Sequence, residues 1–207
     1  MNAAGIVAAE LKARDHDRWL ACLYAPAPLR PGLMALFALD CELAQLVATT
    51  SEPMIGEIRL AWWRERLEEL DQGRAPAQPL LQALLADVLP LVAGVELAKL
   101  EDRWLPLIGT SEVPAAHVEG GGLLFALAAR LLGGDPAEGR ALGRLWVLGE
   151  PATGRTSVPL RPLSGLVAIS ARDAALAAMR TRAGRPPEPR GALARQWLLL
   201  KAVATGR

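Results

Sequence analysis

Glu65 and Glu69 stand four residues apart, so on a helix both carboxylates project from one face. Two such groups could grip Mg²⁺, which takes oxygen ligands and commonly bridges to phosphate. Asp40 and Glu42, two apart, diverge around a helix, and Glu150 stands alone; these three complete a weak set of metal candidates. Arg64 and Arg66 interleave with Glu65, Glu68 and Glu69, so exposed ion pairing is the plainer use of the same acids. Glu10 and the Glu101-Asp102 pair are weaker still. Asp15-His16-Asp17 holds metal-capable side chains, yet adjacent residues cannot all face one centre on a helix; a capping aspartate beside an exposed His16 is expected. His117 lacks an HExxH companion, which leaves a zinc hydrolase unsupported. Gly120-Gly121-Gly122 resembles a phosphate loop without its lysine and is better read as a site of close helix packing. No GxSxG, Walker or dinucleotide-binding loop occurs, and no catalytic residue is assigned.

The elements that must carry these groups read as helices throughout. Alanine, leucine and arginine dominate, while β-branched and aromatic residues are sparse. Ser51 to Leu70 joins a helix entry, punctuated by Pro53 and Gly56, to a paired-tryptophan helix from Glu57 to about Asp71 that Gly73 ends. Earlier come a weak helix over 3–13, a short one around Trp19 to Tyr24, and a long buried one from Pro31 that Thr49 to Pro53 breaks. Later helices are expected over 78–89, 92–107, from Pro114 to Gly133, after the Asp135-Pro136 cap, and over 166–182 and 190–204. The spacing predicts an all-α chain of eight or nine helices in one domain over 1–207, with 184–189 as a proline-rich linker to a last basic helix.

The chain has 207 residues, 52% of them hydrophobic, enough for a substantial core. The net charge of +1 excludes a strong nucleic-acid signature, but the distribution is uneven. Residues 1–171 hold 15 cationic and 20 anionic side chains, whereas residues 172–207 hold 8 and 2. That basic end suits an anionic membrane surface, a phosphate or an acidic partner, or is simply solvated. Cys22 and Cys41 form no CxxC, so a reducing compartment is expected. No signal-peptide pattern and no run of eighteen uninterrupted apolar residues is present, so a transmembrane segment is not expected. A cytoplasmic location is the expectation, with peripheral membrane contact as its variant.

Three segments together carry a family resemblance: DRWLACLYAP over Asp17–Pro26, RPGLMALFALDCELAQL over Arg30–Leu46, and SEPMIGEIRLAWWRERL over Ser51–Leu67. They resemble the N-terminal half of the squalene/phytoene synthase family, in a divergent bacterial branch related to a mitochondrial complex I assembly factor of that fold. HVEGGGLLFALAARLLG over His117–Gly133 is similar to the family's central glycine-containing helix. The resemblance implies an isoprenoid-synthase-like helical bundle around an elongated apolar cavity, here C-terminally shortened and therefore more open. It also implies head-to-head joining of prenyl diphosphates on Mg²⁺ held by two aspartate-rich motifs. Where the first motif would lie, this chain offers Ala44, Gln45 and Ala48; where the second would lie, ALGRLWVLGE supplies only Glu150, followed at once by Pro151. An alanine brings neither charge nor ligand to a metal ion, and a leaving diphosphate needs that charge.

The expectation is therefore a non-catalytic family member, needing no cofactor, that binds an isoprenoid-like lipid, a membrane surface or a protein partner. Phe37, Trp62, Trp63 and Phe125 are its candidate groove or core residues, with Arg59 and Arg64 as candidate contacts to an anionic head group. The alternative is a divergent Mg²⁺-dependent prenyl transferase, which needs Asp40, Glu42, Glu65, Glu69 and Glu150 to converge.

Overall fold

The computed structural model describes residues 2–110, 112–183 and 193–206. Among them are ten α-helices and no strand. They are α1 (Ala3–Arg14), α2 (His16–Cys22), α3 (Arg30–Thr49), α4 (Pro53–Glu69), α5 (Pro79–Asp87), α6 (Gly94–Ala98), α7 (Ala115–Leu131), α8 (Pro136–Leu148), α9 (Arg161–Ala183) and α10 (Leu193–Thr205). The chain is all-α, as its composition predicts. The expected linker over 184–189 lies outside the described residues.

Local chemistry explains most of the boundaries. Asp15 caps α2 by accepting from the Arg18 backbone N–H at 2.9 Å, and Asp135 caps α8 by accepting from Ala137 at 2.8 Å. Pro31 and Pro53 sit in the first turns of α3 and α4, where their missing N–H costs nothing. α4 therefore begins a turn earlier than expected, and Pro53 and Gly56 belong to it. The helix expected over 92–107 is instead three short pieces: α6, a 3₁₀ turn over Lys99–Arg103 and another over Leu105–Leu107.

α3 is the axis of the core: twelve of its residues are buried, and it packs against α1, α2, α4, α5 and α7. The stretch Ala27–Thr49 is long and apolar enough to cross a membrane, but 67% of its most apolar window is buried inside the fold. That burial marks it as a core helix. α7 and α8 lie in backbone contact: a Cβ on Gly143 would meet the Gly121 carbonyl oxygen at 2.1 Å. A Cβ on Gly120 would meet Arg103 Cβ at 2.2 Å, so the glycine run serves close packing.

Candidate functional site: a buried arginine–aspartate–arginine network

Asp40 enters the interior from the middle of α3, one residue after Leu39 in an otherwise apolar run, and is 1% exposed. A carboxylate that far from water must be neutralised and hydrogen-bonded. Arg18 of α2 donates Nη1–H to its Oδ2 at 2.7 Å, and Arg103 donates Nη1–H to Oδ1 at 2.9 Å. The Trp104 indole adds Nε1–H to Oδ1 at 3.0 Å. Burial alone would push the Asp40 carboxyl up, but the Arg103 and Arg18 guanidiniums overcome it and hold the pKa below the usual carboxylate value.

The two arginines are fixed from behind. Arg18 also donates Nε–H to Asp15 Oδ2 at 2.9 Å and Nη2–H to Cys41 Sγ at 3.0 Å. Burial opposes its charge, yet the Asp15 and Asp40 carboxylates raise its pKa above the ordinary arginine value. Arg103 is lowered, because burial and the Arg18 charge outweigh the help from Asp40. His117 lies 3.0 Å by Nδ1 from the Arg103 carbonyl oxygen. That oxygen only accepts, so Nδ1 carries the proton and Nε2 accepts from Arg103 Nη2 at 3.3 Å. Burial and Arg103 push the His117 pKa down, which keeps the ring neutral. Cys41 is pushed up to about 11 by burial and acts as a packed thiol.

Aromatic rings enclose the network. Phe37 and Phe125 are fully buried and meet edge-to-face at 6.2 Å, and Phe125 stacks on Trp146 at 5.1 Å. Trp146 lies 5.4 Å from the Arg18 guanidinium and 5.6 Å from that of Arg103. The space between α2, α3, α7 and α8 is thus occupied by rings and guanidiniums.

The other candidates lie apart from this centre. Glu42 pairs with Arg14, and Arg66 pairs with Glu65 at 3.5 Å and Glu69 at 3.0 Å. Glu150 is exposed just beyond the C-terminal end of α8, where Gly149 turns the chain. Arg64 pairs with the buried Glu101 at 2.5 Å, Arg59 is exposed, Trp63 is buried and Trp62 is 44% exposed. Among the described residues, no three His, Cys, Asp or Glu side chains are grouped to hold one metal ion. Ala44, Gln45 and Ala48 line a pocket of about 210 Å³ beside Arg14, Asp15, Arg18 and Cys41. Sequence reasoning named Asp40 but missed Arg18, Arg103, Trp104 and Trp146 as its partners. The available signal was Asp40 at the end of the apolar run Leu33 to Leu39, on the side of α3 away from Glu42; an acid buried there demands cations from elsewhere.

The sequence profile of the squalene/phytoene synthase family matches residues 11–88, the segment that carries α1 to α5 and Asp40. Among known proteins, the chain is 33% identical over 95 residues to human "NADH dehydrogenase (ubiquinone) complex I, assembly factor 6", covering 46% of this chain and 26% of that protein. The bovine and rat proteins of the same name are 32% and 33% identical over 95 residues, with the same coverage. The match thus spans about a quarter of each relative's length. No solved structure matches the chain.

Proposed function

We propose that this chain, which resembles the squalene/phytoene synthase family over residues 11–88, is a non-catalytic member of that type that acts by binding a protein partner. One observation carries the reading: both oxygens of Asp40 are committed to Arg18, Arg103 and Trp104 inside a shell of aromatic rings. Family chemistry would require carboxylates free to hold Mg²⁺ against a leaving diphosphate, beside a cavity that keeps water from a carbocation. The donor set here does not fit Mg²⁺. Asp40 is saturated, Glu42 is paired with Arg14, Glu65 and Glu69 are paired with the half-buried Arg66, and the positions that the resemblance assigns to the first motif are Ala44, Gln45 and Ala48. The name of the matched relatives, a complex I assembly factor, supports a role in helping another protein reach its assembled state. A lipid or a membrane surface as the bound partner has less support, because Phe37 and Phe125 fill the interior rather than line a groove.

The test is turnover. Purified protein is incubated with farnesyl or geranylgeranyl diphosphate and Mg²⁺, and pyrophosphate and coupled hydrocarbon are measured. Release at the protein-free background is expected. Metal-dependent product that a chelator abolishes would establish the prenyl transferase alternative.

A further inference from the structure

α4 is apolar on two sides. Its inward side, Gly56, Leu60, Trp63 and Leu67, is buried, while Met54, Ile55, Ile58 and Trp62 are 73, 52, 64 and 44% exposed. At helical spacing these four fall within an arc of roughly 100° and a length of about 12 Å, a stripe for one helix to lie along. Trp62 meets the buried Trp63 edge-on at 5.3 Å and the Arg66 guanidinium at 5.9 Å, contacts that support its indole from the protein side. Tryptophan is among the residue types enriched at the energetic centres of protein interfaces.

Charge decides what covers the stripe. Exposed Glu57 and Glu68 run along one flank and Glu65 and Glu69 follow its C-terminal end. Of the arginines on α4, Arg64 is committed to Glu101 and Arg66 to Glu65 and Glu69, which leaves exposed Arg59 on the opposite flank. An anionic bilayer would be repelled by this margin and would draw Glu57 and Glu65 toward hydrocarbon. A second copy fits no better. A two-fold antiparallel contact centred on Ile58 sets Glu57 near its own symmetry mate and Arg59 near its own, like charge on like.

We propose that the outward side of α4 docks an amphipathic helix of a protein partner, whose apolar stripe covers Met54, Ile55, Ile58 and Trp62 and whose lysines or arginines meet Glu57 and Glu68. The proposal rests on the partner-binding reading above and gives that partner its chemistry.

Two labelled helical peptides of about eighteen residues, identical in their leucine stripe but flanked by lysines in one and glutamates in the other, are titrated with the full chain. The lysine-flanked peptide is expected to bind roughly tenfold or more tightly. Ile58→Glu, on a surface that tolerates charge, should weaken it by roughly tenfold or more with an unchanged far-UV spectrum. The Glu57→Lys/Glu68→Lys pair should invert the preference. Equal binding of both peptides, or indifference to Ile58→Glu, overturns the proposal. So does phosphatidylserine-vesicle binding that Ile58→Glu abolishes, which would make the occupant a membrane. Self-association lost in the same variant would make it a second copy. Pyrophosphate release from the same preparation separates the two readings: turnover with peptide binding intact defeats the non-catalytic reading alone, and no turnover with no peptide binding defeats the docking surface alone.

Discussion

Three donors converge on the two oxygens of Asp40, and two of them are guanidiniums that the fold has taken out of water. Removing the carboxylate would leave Arg18 and Arg103 buried with their shared counter-charge gone. Asp40→Ala should therefore cost about 3–5 kcal/mol of stability near neutral pH, read from the midpoint of denaturant unfolding. The sign of its pH dependence follows from the depressed pKa. The folded protein holds Asp40 ionised below the unfolded value of about 3.9, so this stabilisation is complete above that pH. It disappears as pH falls through the lower folded value, and the gap between wild type and Asp40→Ala should close there. A gap that persisted unchanged in acid would show that packing, not charge, holds the site. Asp40 was visible in the sequence as an acid that ends the apolar run Leu33 to Leu39, where it reads as a weak metal candidate. Its partners were not, because Arg103 lies 63 residues away and no local pattern links the two.

At the scale of elements, the close approach of α7 and α8 sets how Trp146 reaches the network. Glycine inside a helix ordinarily costs about 0.5–1 kcal/mol relative to alanine, so Gly143→Ala in isolation would stabilise α8. Here the added methyl would lie 2.1 Å from the Gly121 carbonyl oxygen, a backbone atom that cannot swing aside. A net loss of about 1–3 kcal/mol is expected, measured as a lower thermal midpoint. A gain would mean that the helices separate at little cost. The glycine run at 120–122 marks close packing in the sequence itself, whereas Gly139 and Gly143, isolated four residues apart in α8, carry no such local mark. The break-up of the helix expected over 92–107 has a local cause. Asp71 accepts from the Gly94 and Val95 N–H groups at 2.6 and 3.0 Å, which anchors α6 as a separate short start, and Pro106 opens a separate 3₁₀ turn.

Across the whole molecule, the charge asymmetry of the sequence becomes a joint between its two ends. Arg195 of α10 reaches Asp17 of α2, 178 residues away, and Asp173 of α9 at 2.5 Å. Leu199 and Ala202 bury the inward side of α10, while Leu193, Trp197 and Leu200 stay exposed. With so few buried apolar groups, Arg195 matters to how firmly α10 is seated. Arg195→Ala should speed amide exchange in α10 roughly tenfold or more, equivalent to about 1–3 kcal/mol, while α3 keeps its protection. Equal protection of α10 in both proteins would assign its docking to apolar contact alone.

Helical content, most caps and the run of core leucines were determined by the sequence itself, because spacing, proline placement and side-chain caps act over a few residues. That positions 44, 45 and 48 carry no acid was equally plain there. Only the tertiary structure decided that Asp40 is the counter-ion of two buried arginines and that α4 keeps an apolar side facing outward. Both depend on which distant surfaces meet, and the periodicity of a helix says that a face is apolar without saying what will cover it.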